Sequence, residues 1–108
     1  MSGRRKTIDS TVGADLMRTF TAEEVASHLG ALPEWRIEEG ELTRTFTFPD
    51  FSAALAFVNR VGEQAEQAGH HPDIDIRYNR VRLGLVTHSA GGLTAKDFEL
   101  AAAVNRLV

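Results

Sequence analysis

Three observations on these 108 residues predict an α+β fold: a four-stranded antiparallel sheet with helices packed on one face, in the order αββαββα. Residues 35–48 and 74–87 each contain two short segments in which apolar and polar side chains alternate, the period of a half-buried strand. Three other segments carry apolar residues at helical spacing, each opened by a capping residue, Thr21, Asp50 or Thr94. Paired strands and single helices take turns along the chain, so the natural packing sets the helices against one face of a sheet built from two hairpins.

Size and composition agree with one domain. An apolar content of 43% and a charged content of 25% are those of a globular chain with its own core. The net charge of −3 gives no electrostatic reason to expect nucleic acid as a ligand. With no cysteine, disulfides, thiolate metal sites and cysteine nucleophiles are excluded. The start, Met1-Ser2-Gly3-Arg4-Arg5-Lys6, is basic, but no apolar run follows it as in a secretory signal, and no stretch is long enough to span a bilayer. A cytoplasmic protein is expected. Residues 1–14 are polar and aperiodic and are expected to be a disordered extension, with residues 15–108 forming the domain.

The first helix starts at Thr21-Ala22-Glu23-Glu24, a capping box, with Phe20 and Val25 spaced as a hydrophobic staple. Gly30 is placed to give it a left-handed exit, and His28 is read as solvated surface. Trp35 and Ile37 then alternate with charged neighbours, and Glu39-Gly40-Glu41 turns the chain. Leu42 to Phe48 alternates again, with Thr43, Thr45 and Thr47 facing away from the phenylalanines and Arg44 sharing their face. Asp50 caps a long helix running from Phe51 to Ala68, with an expected stripe of Phe51, Leu55, Val58 and Ala65 widened by Phe57 and Val61. Gly69 ends that helix, and Pro72 keeps His71 extended. Ile74, Ile76 and Tyr78 form the third strand, Asn79-Arg80 the turn, and Val81, Leu83 and Leu85 the fourth strand, reaching Thr87 and His88. The last helix follows Thr94-Ala95-Lys96-Asp97, with a stripe through Leu100, Val104 and Leu107, widened by Ala101 and Val108.

Polar groups collect around one predicted rim. Glu66 sits on the last turn of the long helix, His70 and His71 follow it, His88 ends the fourth strand and Asp97 starts the last helix. Imidazole has an ordinary pKa of about 6.5 and so populates both protonation states near neutrality. Several histidines with a carboxylate therefore supply an acid, a base and an orienting group. No serine or threonine stands out as a nucleophile, which points to acid–base rather than covalent chemistry. Each residue also has a plainer structural reading. Asp97 is the partner of Thr94 in a capping box, Glu66 a solvated helix residue, His71 a loop residue and His88 a rim residue. A metal site on His70, His71 and His88 is disfavoured, because adjacent histidines rarely meet one ion and no His-x-x-x-His spacing occurs.

The run Gly69-His70-His71-Pro72-Asp73 is joined at fixed spacings by Trp35, Phe46-Thr47-Phe48, Asp50-Phe51, Tyr78, Thr87-His88 and Gly92-Leu93-Thr94 through Asp97. From about Phe20 to its end, the chain resembles the pterin-4a-carbinolamine dehydratases, also known as dimerisation cofactors of a homeodomain transcription factor. The resemblance implies the αββαββα fold and dehydration of a 4a-hydroxytetrahydropterin to quinonoid dihydropterin, in tetrahydrobiopterin recycling after an aromatic amino acid hydroxylase. It implies His70 and His88 as proton-transfer groups, His71 as chiefly a substrate holder and Asp97 as the supporting acid. Glu66, Gly69, His71, Pro72, Thr87 and Ser89 are its implied substrate-binding residues. No metal or organic cofactor is implied, and a homodimer or homotetramer is. Gly69 stands where some members carry an acidic residue, and Ser89 where some carry glutamate. A second reading is a non-catalytic assembly or transcriptional coactivator module on the same fold. Retention of all the histidines weighs against that as the sole role.

Overall fold

The computed structural model describes residues 18–108, so the extension expected at 1–14 lies outside the described residues. The chain forms helix α1 (Ala22–Leu29), strands β1 (Arg36–Glu38) and β2 (Glu41–Thr47), helix α2 (Phe51–Ala68), strands β3 (Asp73–Arg77) and β4 (Arg80–Leu85), a 3-10 turn (His88–Ala90) and helix α3 (Ala95–Asn105). The order is the αββαββα expected. All strand pairs are antiparallel in the sequence β1-β2-β4-β3, so the second hairpin enters the sheet through β4 and leaves β3 at an edge. Among the described residues, no helix is long and apolar enough to cross a membrane.

α1 starts as its sequence dictates. Thr21 Oγ1 accepts from Glu24 N at 3.1 Å, and Glu24 Oε1 accepts from Thr21 N at 2.8 Å. Arg18 grips the same carboxylate through both terminal nitrogens, at 2.9 and 2.8 Å. Hydrogen bonds from Arg18, and then from the Thr21 backbone, hold the Glu24 carboxyl down at about 2. The exit from α1 differs from expectation: Gly30 stays right-handed at φ −57°. The chain tightens there instead, with Ala31 N bonding His28 O and Leu32 N bonding Leu29 O. No left-handed residue is needed when the last turn closes in this way. His28 is exposed, as expected, but its ring is not simply solvated, lying 4.7 Å from that of Phe20 and 5.4 Å from that of Phe98.

The sheet has one apolar and one polar face. Leu42, Phe46, Val81, Leu83 and Leu85 are buried on the first. Arg44 shares that face at its rim, donating to Asn105 Oδ1 at 2.7 Å with its guanidinium 4.2 Å above the Phe46 ring. Glu39 and Gly40, both at positive φ, turn β1 into β2. The second turn is one residue earlier than expected. Arg77 pairs with Arg80, so Tyr78 and Asn79 make the turn, and Tyr78 leaves the strand at φ 52°. Asn79 secures that turn, its Nδ2 donating to Phe48 O at 2.8 Å and its carbonyl accepting from Phe48 N. β4 also ends early, at Leu85. Thr87 forms an isolated bridge with Gly92, and this small loop lifts His88 off the sheet.

On α2 the buried face is Ala54, Phe57, Val61 and Ala65. Of the expected stripe, Ala65 and the widening residues Phe57 and Val61 are buried and Val58 packs at the core's edge, while Ala54 is added and Phe51 and Leu55 are left exposed by 45% and 38%. Two apolar arcs compete on this helix, and tertiary contacts choose between them. Ala54 allows close approach, while the Phe57 ring lies 4.7 Å from Phe46 and 4.9 Å from Phe48. On α3, Phe98, Leu100, Ala101 and Val104 are buried and Leu107 packs beside them, whereas Val108 lies past the helix end and is exposed.

α2 ends at Gly69, left-handed at φ 62°, with Gly69 N bonding Glu66 O and His70 N bonding Ala65 O. A Cβ at Gly69 would meet nothing within 4 Å, so only backbone conformation resists a side chain there. Gly69→Ala is expected to lower unfolding stability by about 1–2 kcal/mol in a denaturant titration, and Gly69→Asn by less, because Asn tolerates this conformation. Equal losses would show that packing, not φ, sets the cost. For Glu24, a depressed carboxyl stabilises the fold fully above its ordinary value of 4.5, and that contribution is lost as pH falls through about 2. Melting curves of Glu24→Gln and wild type should differ above pH 4.5 and converge towards pH 2. A constant offset across that window would remove the Arg18 pairing as its cause.

Candidate active site

The end of α2, the loop after β4 and the start of α3 meet at one rim. Thr94 caps α3, and Asp97, its third residue, completes the capping box, with Oδ2 accepting from Thr94 N at 2.9 Å. The same oxygen accepts from Thr87 Oγ1 at 2.9 Å, and Oδ1 lies 2.6 Å from His70 Nε2. Asp97 is wholly buried, as is Thr94, while Thr87 is 4% exposed. A buried carboxylate is tolerable only when donors surround it, and these three donors do so. Thr87 gives its hydroxyl proton to Asp97, so in the 2.8 Å contact between the two threonine hydroxyls the donor is Thr94. Among the described residues, no buried side-chain polar atom lacks a partner.

This network fixes His70. An ionised carboxylate only accepts, so His70 Nε2 carries the hydrogen and Nδ1 is left as the nitrogen free to take a proton. The His70 side chain is 11% exposed, close to a fixed fitting. His71 differs. Its Nε2 contacts Glu66 Oε2 at 2.5 Å, and both side chains are largely exposed. His88 opens the 3-10 turn, exposed, and its ring has no hydrogen bond to any described residue.

A cavity of about 290 Å³ is lined by Gly69, His70, His71, Val86, Thr87, His88, Ser89 and Lys96. It gathers all three histidines singled out in the sequence, with Gly69, Thr87 and Ser89. Asp97 is not on its wall but behind it, touching His70. Glu66 and Pro72 line a neighbouring cavity of about 610 Å³, which shares His71 with the first. Lys96 was missed by the sequence reading. One signal could have found it: a lysine in the first turn of a helix opposes the helix dipole and so calls for another reason to be there. Thr94 was read as a cap alone, although its hydroxyl also supports the Thr87–Asp97 contact. Among the described residues, no three His, Cys, Asp or Glu side chains converge as a metal site.

Proton transfer fits this geometry better than nucleophilic attack. The Thr87 and Thr94 hydroxyls are buried and engaged with each other and with Asp97, and Ser89, the other hydroxyl at the cavity, is exposed with no hydrogen bond from its side chain to any described imidazole. The cavity offers imidazoles in contrasting settings: one locked by a buried carboxylate, one paired with an exposed carboxylate and one without a hydrogen-bond partner among the described residues.

Comparison with known proteins gives a consistent picture. The family model described as "Pterin 4 alpha carbinolamine dehydratase" matches residues 18–107. A protein of Acidobacterium capsulatum, provisionally named a pterin-4-alpha-carbinolamine dehydratase, is 56% identical over 92 residues, covering 85% of this chain and all of its own. One from Chloroflexus aurantiacus with the same provisional name is 55% identical, covering 85% of this chain and 99% of its own. Among solved structures, a transcriptional coactivator/pterin dehydratase from Brucella melitensis superposes with a TM-score of 0.80 at 36% identity, covering 83% of this chain and 98% of its own. A pterin dehydratase-like protein described as a RuBisCO assembly factor of the alpha-carboxysome shares the fold, with a TM-score of 0.55 at 23% identity over 68% of this chain and 84% of its own. With nearly its whole described length matched by the family model, this chain belongs to the pterin-4-alpha-carbinolamine dehydratase family.

Proposed function

We propose that the protein dehydrates a 4a-hydroxytetrahydropterin to quinonoid dihydropterin and water by histidine acid–base catalysis, as a step of tetrahydrobiopterin recycling. The observation that carries this reading is the contact of buried Asp97 with His70 at the edge of a cavity that His88 also lines. Loss of the 4a-hydroxyl breaks the C4a–O bond and needs a proton on the departing oxygen. The N5–H proton leaves, and its electron pair forms the N5=C4a double bond. His70, with Nδ1 free and Asp97 ready to balance the resulting imidazolium, takes the N5 proton. His88 as imidazolium protonates the leaving hydroxyl. The proton gained by one histidine equals that lost by the other, and exchange with water resets both. His71, steadied by Glu66, holds the ring system together with Gly69, Thr87 and Ser89, while Pro72, on the neighbouring cavity, fixes the backbone that presents His71.

The substrate is the carbinolamine that an aromatic amino acid hydroxylase releases, and the compartment is the cytoplasm. A homodimer or homotetramer is supported by apolar side chains left on the surface: Phe51 and Leu55 on α2 and Ile74 on edge strand β3. A coactivator or assembly role alongside catalysis has one support, the 36% identical Brucella melitensis protein described as both coactivator and dehydratase.

The deciding assay follows quinonoid dihydropterin formation from synthetic 4a-hydroxytetrahydropterin. Wild type should accelerate it, His70→Ala and His88→Ala should each lower kcat by about 10²–10⁴-fold, and His71→Ala should act mainly on KM. A wild-type rate equal to the spontaneous one sinks the reading. Asp97→Asn should cut kcat at least about tenfold with little change in KM, because the amide no longer supports the His70 imidazolium, and should cost about 1–3 kcal/mol of stability by disturbing buried partners. Loss of stability with kcat intact would make Asp97 a helix cap and nothing more.

A further inference from the structure

The turn that carries His88 is tied to a stretch of chain outside the cavity, Arg18-Thr19-Phe20. Among the described residues no hydrogen bond fixes the His88 ring, so its position depends on the backbone of the 3-10 turn. That turn closes on itself: Ala90 N and Gly91 N both donate to Thr87 O, and Thr87 bridges to Gly92. These contacts shape the loop, but all of them fall within residues 87–92. Residues 19 and 20 reach it from outside. Thr19 Oγ1 donates to Ala90 O at 2.6 Å, a short hydrogen bond between residues 71 positions apart. Phe20 N donates to Leu93 O at 2.7 Å.

The approach is closer than a side chain at position 92 would allow. A Cβ on Gly92 would stand 2.9 Å from Thr19 Cγ2, inside any ordinary contact. Gly92 does not share the positive φ of Gly91, so glycine supplies room here rather than conformation. The stretch that braces the loop is itself anchored on both sides of Thr19. Arg18 holds Glu24 at the start of α1 through both terminal nitrogens. The Phe20 ring stacks on Phe98 of α3, with 5.7 Å between centroids.

Resting on the dehydratase reading, we propose that Thr19 is a positioning residue for the reaction: its hydroxyl, seated against Gly92, holds the 3-10 turn where His88 can reach the departing hydroxyl of the substrate. The His88 ring keeps its freedom to rotate, and the brace fixes the point about which it turns. Thr19 is not on the wall of the histidine cavity, so it acts through His88 rather than on the substrate.

The test measures kcat and KM in wild type, Thr19→Val, Thr19→Ser, Gly92→Ala and the double variant Thr19→Ser/Gly92→Ala. Valine keeps a methyl group against Gly92 and loses the hydroxyl. Thr19→Val should therefore lower kcat by about three- to tenfold, the worth of one hydrogen bond, with KM little changed. Serine keeps the hydroxyl, and Thr19→Ser should stay close to wild type. Gly92→Ala should lose a similar factor in kcat, because its methyl group meets Thr19 Cγ2. Serine lacks that carbon, so the double variant should recover. Thr19 is exposed, so its own variants remain informative if Gly92→Ala fails to fold. Wild-type kcat in Thr19→Val, equal loss in the valine and serine variants, a loss confined to KM, or failure of serine to rescue a folded Gly92→Ala overturns the role and leaves the dehydratase reading standing. If wild type does not accelerate the dehydration, that reading has failed instead, and the brace is judged by amide hydrogen exchange. Faster exchange at Ala90 and Gly91 in Thr19→Val but not in Thr19→Ser sustains it, and unchanged exchange overturns it.

Discussion

The carboxylate of Asp97 joins what would otherwise be three separate pieces of chain. One oxygen closes the capping box of α3 and takes the Thr87 hydroxyl from the loop after β4, and the other takes His70 from the end of α2. A charge this deeply buried would be costly alone, so the fold must bring all three donors to it. The cost is met by the same contacts that hold the site in register. The capping box itself is local to α3, but the remaining lone pairs of this buried carboxylate find donors only where the start of α3 sits beside Thr87 and His70.

That double use explains what sequence could and could not reveal. Thr94 and Asp97 read as a capping box from local spacing, and so they are. The same spacing is silent on Asp97's second oxygen, because its partner His70 is 27 residues away and reaches it only through the packing of α2 on α3. Gly69 is the opposite case: a glycine between a helical period and a histidine-proline run has a local explanation, and the left-handed exit bears it out. Gly30 looked equally suitable and is right-handed, since hydrogen bonds in the following turn made the special conformation unnecessary. Family spacing suggested the histidines, but only geometry separates them into one locked, one paired and one free.

The long helix shows the same limit in hydrophobic form. Phe51, Leu55 and Val58 obey the helical period, and so do Ala54, Phe57, Val61 and Ala65. Periodicity ranks neither arc above the other. Packing against the sheet selects the second, with the Phe57 ring in contact with those of both Phe46 and Phe48. In the losing arc Val58 still packs at the edge of the core, while Phe51 and Leu55 stay exposed. A helix with two apolar arcs of which one is used internally has surface left for association, here the flank of α2 that carries Phe51 and Leu55.

The contrast among the histidines bears on how little machinery the chemistry needs. Dehydration of a carbinolamine proceeds slowly unaided, so a gain of about 10²–10⁴ from positioned acid and base is a useful one. Such a gain depends on placing two protons rather than on storing strain or generating a nucleophile. On the proposed reading His70, fixed at Nε2 by Asp97, would meet a substrate atom at Nδ1, and substrate orientation would be set by other groups. Among the described residues His88 has no hydrogen-bond partner to fix its ring, which on the proposed reading leaves it able to turn with the leaving oxygen. One rigid and one adaptable imidazole suit a reaction in which N5 keeps its place in the ring while the hydroxyl departs. The order of the fold supplies that pairing: the exit of α2, tied to the start of α3 through Asp97, carries the first, and a short 3-10 turn raised off the sheet carries the second.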